Sequence, residues 1–299
     1  MIRKIILGIL KKFKFLSPKL YVKIYYQYYT GKKLNLNEPV EFNEKIQWIK
    51  VFYKPDILTK LVDKYAVRAF VEHTIGKQYL SNLIQVTTNP TEIDFNALPA
   101  RFVVKSTHAC NFNLIVTDKK KINKFKTNLL FRKWLSRNQY YRGGLEWAYK
   151  NVTPKLIVEE FMEEEGKSVL DDYKFYCFNG KPHMVQIDIG RNNEHKRVFM
   201  DMDWTKLEIT KGALPIFEGF PKKPENFSTM IVLAKKLAGS FPFVRVDLYN
   251  INGNVIFGEM TFYPGDGRQE FHPNEYNRIF GEMITLPKIP KGQKYINSI

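Results

Sequence analysis

The 299-residue sequence predicts an α+β protein in which a mainly helical N-terminal region precedes a mainly sheet-forming remainder. Two patterns indicate this fold class. In roughly the first 80 residues, apolar side chains recur at helical spacing and polar residues stand where helices would begin. After residue 99, short apolar runs alternate with Gly, Pro and Asn turns, as strands do. The chain is 44% hydrophobic, which is enough to fill the core of one large or two modest domains.

The net charge of the chain is +17, from 47 Lys and Arg against 30 Asp and Glu. Such an excess predicts an anionic partner: a nucleic acid, a phospholipid surface, or a nucleotide or acidic-sugar substrate. The two cysteines, Cys110 and Cys177, are far apart in the sequence and have no histidine cluster beside them. That pattern argues against a disulfide framework and against a zinc site, so we expect a cytoplasmic protein.

Residues 1–40 are predicted to form a basic N-terminal arm and linker. The first 33 residues contain no acid and nine basic residues: Arg3, Lys4, Lys11, Lys12, Lys14, Lys19, Lys23, Lys32 and Lys33. Apolar side chains follow helical spacing between them, at Ile2, Ile5, Ile6, Ile9, Leu10, Phe13 and Leu16. The run is too short and too charged to span a bilayer, and it lacks the cleavage site of a secretory signal. Two interpretations remain: a basic amphipathic helix on an anionic membrane, or a terminal helix docked on the protein body.

Residues 41–98 are predicted to form a helical region. Asn43 is placed to cap a helix over 44–52, and Asp56 is placed to cap the next one. A third helix over 64–73 would be closed by Gly76.

Residues 99–155 are predicted to form the first sheet-containing unit. A loop marked by Pro90 and Pro99 precedes a strand over 102–105, and 114–117 is the next expected strand. A helix over 121–137 follows, and its predicted inner face consists of Leu129, Leu130, Trp134 and Leu135.

Residues 156–299 are predicted to form a second unit made mainly of sheet. A buried strand is expected over 156–162, and strands over 173–178 and 184–189 flank an Asn179-Gly180 turn. A helix over 227–238 ends at Gly239, and its predicted inner face contains Ile231, Ala234 and Leu237.

The segment over 241–267, FPFVRVDLYNINGNVIFGEMTFYPGDG, carries the clearest chemical signal. It predicts two strands in which Arg245 and Asp247 share one face, as do Glu259 and Thr261 on the returning strand. A loop of three or five residues would set Asp247 opposite Glu259, whereas a two-residue turn would send them to opposite faces. We expect the odd-numbered loop. Two facing carboxylates would then need a divalent cation or one raised pKa, unless the segment holds only a structural ion pair.

A lysine at the end of a strand marks a second candidate site. Lys105 precedes the polar loop THACNFN, which contains His108 and Asn111. A point charge followed by backbone N–H groups suits a triphosphate. Lys64, which follows Asp63, is a further cation of interest, although it could equally belong to an ordinary helix surface.

Three more charged segments are candidates. The run over 157–165 passes from an apolar strand into an acidic turn, with Glu159, Glu160, Phe161, Met162 and either Glu164 or Glu165. Asp172 and Lys174 would share one face of a strand, as a phosphate-side cation or as a surface ion pair. Arg191, Lys196 and Arg197 would lie in a loop, where they bind an anionic substrate or form a solvated surface.

Taken in order, these pieces resemble the ATP-grasp superfamily, and more closely its TupA-like branch, which is associated with teichuronopeptide and other bacterial surface-polymer synthesis. The resemblance runs from about Glu44 to Gly267. It implies two α/β subdomains, residues 99–155 and 156–299, that hold ATP between them. Two positions depart from the family pattern: Ala109 stands where a glycine is expected, and Thr261 stands where an asparagine is usual.

The resemblance implies a role for each candidate residue. Nucleotide contacts would come from Lys64, Lys105, His108, Asn111, Glu160, Phe161, Met162, Glu164 and Lys174. The Mg²⁺ ligands would be Asp247, Glu259 and Thr261. Arg245 and Lys105 would be catalytic, and Arg191, Lys196 and Arg197 would hold the substrate.

The implied function is ATP- and Mg²⁺-dependent ligation of a carboxylate to an amine through an acyl phosphate. The carboxylate would belong to a uronic acid or glutamate unit of a capsule or other cell-surface polymer, free, polymer-bound or lipid-linked. A lipid-linked or growing polymer would explain an arm that holds the enzyme at the inner face of the membrane.

Two other functions are considered. Asp201-Met202-Asp203 is an acid-any-acid triplet of the kind that holds the metal of a sugar nucleotide, which would make the protein a glycosyltransferase of the same pathways. A nucleic-acid binder is the third, but no nucleic-acid-binding motif is present, so we expect no nucleic-acid partner.

Overall fold

The computed structural model describes residues 2–164, 170–190 and 195–298. Within these residues the helices are α1 Ile2–Leu10, α2 Pro18–Thr30, α3 Phe42–Phe52, α4 Ile57–Val62, α5 Val67–Thr74, α6 Lys124–Leu135, α7 Gln139–Arg142, α8 Phe227–Ala238 and α9 Glu275–Glu282. The strands are β1 Leu83–Thr87, β2 Phe102–Ser106, β3 Asn113–Val116, β4 Leu156–Glu160, β5 Asp172–Phe178, β6 Lys181–Ile189, β7 Lys196–Asp201, β8 Lys206–Leu207, β9 Thr210–Lys211, β10 Phe243–Ile251, β11 Asn254–Thr261 and β12 Phe271–His272.

Two larger sheets organise the described residues. A four-stranded sheet has the order β1-β4-β2-β3, and a six-stranded sheet has the order β11-β10-β5-β6-β7-β8. Every neighbouring pair in both sheets is antiparallel. The short strands β9 and β12 pair separately. The predicted α+β class, with helices leading into sheets, is confirmed.

Each larger sheet has its own hydrophobic core. The smaller core joins β2 and β4 to α6, where Phe131 and Trp134 are buried. The larger core joins the six-stranded sheet to α2, α3 and α8. Its centre is the ring of Phe42, whose centroid lies 5.1 to 6.4 Å from four aromatic rings: Tyr176, Phe178, Phe243 and Phe271. The N-terminal helices α2 and α3 are therefore part of the larger core.

The strands of the four-stranded sheet come from both sides of the expected boundaries at residues 99 and 156. β4 belongs to the four-stranded sheet, although it opens the unit that was expected over 156–299. β1 also belongs to that sheet, although residues 41–98 were expected to be helical. Both strands are short, so the sequence alone does not show which sheet they join. Their membership of the four-stranded sheet follows from the pairing of β1 with β4 and of β4 with β2.

The N-terminal helices begin at other residues than expected. Glu41, rather than Asn43, caps α3, because its carboxylate and that of Glu44 form a reciprocal capping box. Asn43 lies inside the helix and donates to the Gln269 carbonyl at 3.0 Å. Asp56 precedes α4 without a capping hydrogen bond from its side chain. The third helix, α5, covers 67–74 rather than 64–73.

Two predicted inner helix faces are partly wrong. In α6, Leu129 and Leu130 are exposed, whereas Thr127, Phe131 and Trp134 are buried. The buried set follows i, i+4, i+7 spacing; it includes the predicted Trp134, whereas Leu129 and Leu130 lie to one side of it. In α8 the buried residues are Phe227, Met230, Leu233, Ala234, Leu237 and Ala238, and Ile231 is only half-buried.

The N-terminal arm divides into an exposed helix and a docked one. In α1 no residue is buried, and the exposed apolar side chains are Ile2, Ile5, Ile6 and Ile9. In α2, by contrast, Tyr21, Val22 and Tyr26 are almost fully buried in the larger core. Within the described residues, no helix combines the length and the hydrophobicity that a bilayer crossing requires.

The β10–β11 hairpin reaches the expected arrangement by an unexpected route. Ile251 pairs with Asn254, so the connection is a two-residue turn, and the expected odd-numbered loop is wrong. Asn252 and Gly253 both have positive φ, as a tight hairpin turn requires. A β-bulge at Gly258 then shifts the register by one residue, so that Asp247 still lies opposite Glu259.

Gly258 allows this bulge because it has no side chain. A Cβ at this position would lie 3.0 Å from the Asp247 carbonyl oxygen and 3.1 Å from the Tyr249 ring. Either the backbone of β10 or that ring would have to move to accommodate it.

We therefore expect Gly258→Val to lower the free energy of unfolding by about 1–3 kcal/mol through overpacking at the bulge. Denaturant-induced unfolding would measure this. Asn254→Val is the matched control, because it adds the same side chain at an exposed position of the same strand. Equal stability of the two variants would contradict the proposed crowding at Gly258.

Candidate active site

Arg245 links the polar side chains of the β10–β11 hairpin. Its Nε and Nη2 atoms donate to the two carboxylate oxygens of Asp247 at 2.7 and 2.6 Å. Nη2 also lies 3.2 Å from Glu259 Oε1 and 3.1 Å from Thr261 Oγ1. The four residues predicted from strand alternation therefore meet on one face, and a guanidinium separates the two carboxylates.

The two carboxylates have different pKa values. Burial, and then the neighbouring charge of Glu259, raise the pKa of Asp247 to about 6 against the lowering effect of Arg245 and Lys174. Burial would also raise the pKa of Glu259, but Lys64, Arg245 and Lys174 together lower it to about 2. Glu259 is thus the carboxylate that remains ionised at every physiological pH.

Lys64 connects this hairpin to the loop between β2 and β3. Its Nζ lies 3.7 Å from Glu259 Oε2 and donates to the Ala109 carbonyl at 3.1 Å. Lys64 occupies the turn between α4 and α5, so it is not part of an ordinary helix surface. Asp63 fixes that turn by accepting hydrogen bonds from the Tyr65 and Ala66 backbone N–H groups at 2.8 and 3.1 Å.

Lys105 lies at the end of β2 and faces the same cleft. Its Nζ forms an ion pair with Glu159 at 2.7 Å. Glu159 also accepts a hydrogen bond from Ser81 and lies 3.5 Å from Arg68. Arg68 and Ser81 were not among the predicted site residues, and Glu160 rather than Glu159 was assigned the contact, because this convergence depends on the pairing of β1 with β4.

A small cavity joins these groups. Its lining includes Lys64, Lys105, Ile157, Glu159, Met162 and Phe257. The cavity volume is about 20 Å³, which is room for one water molecule rather than for a purine ring. The predicted residues Lys64, Lys105 and Met162 are thus brought together in a cleft whose side chains are in mutual contact.

The loop after Lys105 corrects one predicted contact. The imidazole of His108 is buried away from the cleft, with Nδ1 2.7 Å from Ser106 Oγ and Nε2 3.2 Å from the Trp134 carbonyl oxygen. Its side chain therefore supports the loop and is not placed to contact a phosphate. Asn111 is exposed at the tip and has φ 62°, so it supplies the left-handed residue in a loop without glycine.

The acidic turn after β4 is only partly as expected. Glu159 faces the cavity, so Glu160, the next residue, lies on the other face of the strand and contacts Asn82 at 3.2 Å. Phe161 lies under the Arg101 guanidinium, 5.1 Å from ring centroid to Cζ. Glu164 is half-buried at the end of the described segment.

The polar face of the hairpin continues across β5, β6 and β7. Lys174 lies in register with Asp247 and forms ion pairs with Asp172 at 2.8 Å and Asp188 at 3.2 Å. Arg197 binds Asp188 through Nε at 2.6 Å. Lys174 is therefore a buried member of this face and not a surface ion pair.

The basic segment differs from the expected loop. Lys196 and Arg197 are the first residues of β7. Arg197 also donates to the Lys211 carbonyl oxygen at 2.9 Å, so its guanidinium forms structural contacts within the protein. Arg191, the third predicted substrate residue, lies outside the described residues.

The acid-any-acid triplet, Asp201-Met202-Asp203, stabilises a turn. Asp201 Oδ1 accepts hydrogen bonds from the backbone N–H groups of Asp203 and Thr205 at 3.0 and 2.7 Å. This is ordinary turn chemistry for an aspartate. Across the ranges 2–164, 170–190 and 195–298, no group of three or more His, Cys, Asp or Glu residues is arranged to hold a metal ion.

A buried polar cluster beside the hairpin was not predicted. Asp266 forms ion pairs with Lys50 and, at 3.1 Å, with Arg268. Gly144 passes so close that a Cβ there would lie 2.6 Å from the Asp266 carboxylate oxygens. Glu146 is buried nearby, and Gln139 Nε2 donates to it at 3.5 Å. Burial, and then the charge of Asp266, raise the pKa of Glu146 to about 8.

Comparison with known proteins identifies the family of this chain. A family model described as TupA-like ATPgrasp matches residues 44–285, which is most of the chain. The fold is thus that of an ATP-grasp enzyme. The chain belongs to the TupA-like ATP-grasp family. A comparison with curated proteins found no match.

Several solved structures are similar in fold. The D-alanine–D-alanine ligase from Bacillus anthracis complexed with ATP has 12% identity and a TM-score of 0.39, over 74% of this chain and 61% of that one. The D-alanine–D-alanine ligase from Helicobacter pylori has 14% identity and a TM-score of 0.44, over 84% and 68%. N5-carboxyaminoimidazole synthetase from Staphylococcus aureus complexed with ADP has 11% identity and a TM-score of 0.45, over 76% and 53%. The chain thus spans about half to two-thirds of these relatives.

Glu146 provides a test of the electrostatics around the hairpin. Its pKa is raised from 4.5 to about 8, so the folded state binds more protons than the unfolded state between these values. This contribution stabilises the fold at low pH and is lost as pH rises towards 8.

We expect Glu146→Gln to gain free energy of unfolding relative to the native protein between pH 5 and pH 8, with a slope of at most about 1.4 kcal/mol per pH unit. Denaturant unfolding at several pH values would measure it. Glu225→Gln is the control at an exposed glutamate. If both variants gave pH-independent differences, the raised pKa of Glu146 would be refuted.

Proposed function

We propose that this protein is an ATP- and Mg²⁺-dependent carboxylate–amine ligase. The observation that carries the proposal is the convergence of Lys64, Lys105 and Arg245, from three separate parts of the fold, beside the opposed carboxylates of Asp247 and Glu259. Cations directed at one cleft, next to oxygen ligands, suit the triphosphate of ATP.

ATP would lie between the two sheets. Met162 and Ile157 would contact the adenine, and Phe161 and Glu160 would contribute through their backbone groups. Lys64 and Lys105 would contact the phosphates. Because the cavity is much smaller than a purine, the Lys105–Glu159 ion pair would have to separate as ATP binds. A phosphate would then replace Glu159 as the partner of Lys105.

The hairpin provides a donor set that fits Mg²⁺. Asp247, Glu259 and Thr261 present two carboxylates and a hydroxyl on one face, and Mg²⁺ prefers a few such oxygen ligands together with substrate phosphates. When bound, the ion would neutralise phosphate charge. Lys174 and Asp172 would hold this face in position from the neighbouring strand.

The reaction would proceed in two displacements. A substrate carboxylate oxygen attacks the γ-phosphorus, the bond to ADP breaks, and an acyl phosphate forms. An amine nitrogen then attacks the acyl carbon, inorganic phosphate leaves, and the amine loses a proton to solvent. Arg245 would stabilise charge on the transferred phosphoryl group, and no covalent intermediate with the protein is needed.

The substrate would be an acidic unit of a cell-surface polymer. The +17 net charge favours an anionic substrate, and the family association with surface polymers favours a uronic acid or glutamate unit. Lys196, and Arg191 outside the described residues, would attract it. Arg197 would instead position β6 and β7 through Asp188.

We expect Glu259→Gln to reduce release of ADP and phosphate by at least about a hundredfold, because a neutral amide cannot replace an ionised ligand beside the phosphates. Turnover would be measured with ATP, Mg²⁺, candidate acids and amines, while thermal unfolding checks that the variant is folded. Glu225→Gln, at an exposed position, should retain activity. Full activity of Glu259→Gln would remove the metal assignment, and hydrolysis of a sugar nucleotide instead of ATP would favour the glycosyltransferase.

The exposed helix α1 would hold the enzyme on an anionic membrane surface. Ile5 and Ile9 are 58% and 52% exposed and follow one another by one turn, among basic residues with no acid. Such a helix binds lipid by burying its apolar face while its lysines attract anionic headgroups.

We expect the double variant Ile5→Asp/Ile9→Asp to bind vesicles containing phosphatidylglycerol at least about tenfold more weakly. Native binding should fall with added salt and be weak on phosphatidylcholine alone. Val232→Asp/Ile279→Asp changes two other exposed apolar residues and should bind as the native protein does. Unchanged vesicle binding by the α1 variant, together with lost stability, would indicate a docked helix instead.

A further inference from the structure

A second, larger cavity lies between α7, the segment that follows it and the C-terminal segment, and no hairpin residue lines it. Its volume is about 590 Å³, within the usual range for small-ligand sites. Three aromatic residues, Tyr140, Trp147 and Tyr295, and two lysines, Lys54 and Lys150, contribute to its lining. Aromatic faces alternate with cations around a single concave surface.

The walls of this cavity are held in place by backbone contacts. The C-terminal segment carries Tyr295 and is fixed by Ile296, whose N–H donates to the Phe52 carbonyl at 2.8 Å and whose carbonyl accepts from the Lys54 N–H at 2.7 Å. Trp147 begins a 3-10 helix over Trp147–Tyr149. The arrangement of the rings is therefore set by the fold, as expected for a binding site that exists before the ligand arrives.

Two ammonium groups share this cavity. Lys54 Nζ lies 3.3 Å from the Tyr295 ring centroid and 5.1 Å from that of Trp147. Lys150 Nζ lies 5.5 Å from the Trp147 centroid. Burial, and then the like charge of Lys150, lower the pKa of Lys54 to about 8. Asp56, the acid in the lining, leaves an excess of positive charge, so an anion would relieve the repulsion.

We propose that this cavity binds an anionic sugar unit of the polymer substrate, with its pyranose ring against Trp147 and Tyr295 and its carboxylate beside Lys54 and Lys150. The C–H faces of a pyranose pack on aromatic rings, while its carboxylate matches the paired ammonium groups. This choice of ligand rests on the proposed polymer-directed function.

The cavity is connected to the active site through one short helix. Tyr149, at the other end of the Trp147–Tyr149 helix, is half-buried, and the charges of Glu146 and Glu259 act on its hydroxyl. The two ends of one helical turn thus contact the sugar cavity and the surroundings of the hairpin. A polymer substrate bound at Trp147 would extend towards the hairpin from this side.

Binding can be tested without catalysis, so failure of the ligase proposal would not decide the outcome. The probe is a tetrasaccharide of alternating glucuronate and N-acetylglucosamine, titrated calorimetrically into the full-length protein without ATP. The N-acetylglucosamine tetramer is the neutral comparator, and pentaglutamate is the non-sugar anion. Lys150→Glu tests the charge and is matched by Lys236→Glu on α8, which is also exposed.

We expect the acidic tetrasaccharide to bind more tightly than either comparator. Lys150→Glu should weaken binding at least about tenfold, and Lys236→Glu should leave it unchanged. Tyr295→Ala should weaken binding, whereas Tyr295→Phe, which keeps the ring, should preserve it. Equal affinity for the neutral tetramer or for pentaglutamate, or equal effects of the two lysine variants, would overturn the proposal.

Discussion

The bidentate contact between Arg245 and Asp247 is the interaction on which the active site depends. It places one cation between two carboxylates that would otherwise repel, and it does so on a sheet face that is mostly buried. Lys64 approaches Glu259 from the turn between α4 and α5 and adds a second cation to the same group. The site is therefore a set of charges that is nearly balanced without a ligand. Under the proposed function, a triphosphate with its counter-ion would enter it by exchanging partners, without leaving a carboxylate unpaired in a buried position.

Strand alternation was sufficient to predict the four hairpin residues, and the order of lysines and acids along the chain was sufficient to predict the family. The first signal depends only on residues close together in the sequence, and the second only on the order of residues along the chain. Neither is lost when the predicted bounds of a single element are wrong. The hairpin loop shows the limit of this reasoning. Its length was predicted wrongly, but Asp247 still faces Glu259, because the shift that a longer loop would have provided comes from the bulge at Gly258. From sequence alone, a glycine in a strand is only a weak indication of a bulge. The close approach of the Asp247 carbonyl to Gly258, which explains the glycine, is visible only in the folded structure.

The residues that sequence reasoning misplaced are those whose orientation is set by distant pairing. Glu159 and Glu160 are equally acidic neighbours, and the choice of which one faces the cleft follows from the contact of β4 with β1 and β2. His108 lies in a polar loop, but Ser106 and the Trp134 carbonyl turn its imidazole inward. Asp266 follows a turn and meets Lys50 across 216 residues of sequence. None of these contacts has a periodic pattern that a single sequence displays.

The hairpin also constrains how related chains can differ in length. The turn at Asn252-Gly253 and the bulge at Gly258 each change the register by one residue, and their effects combine at Glu259. A lineage that gained one residue in the turn would misdirect Glu259 unless it also lost the bulge. Insertions and deletions at these two places should therefore be inherited together, and a strand without the glycine should be accompanied by a loop of odd length.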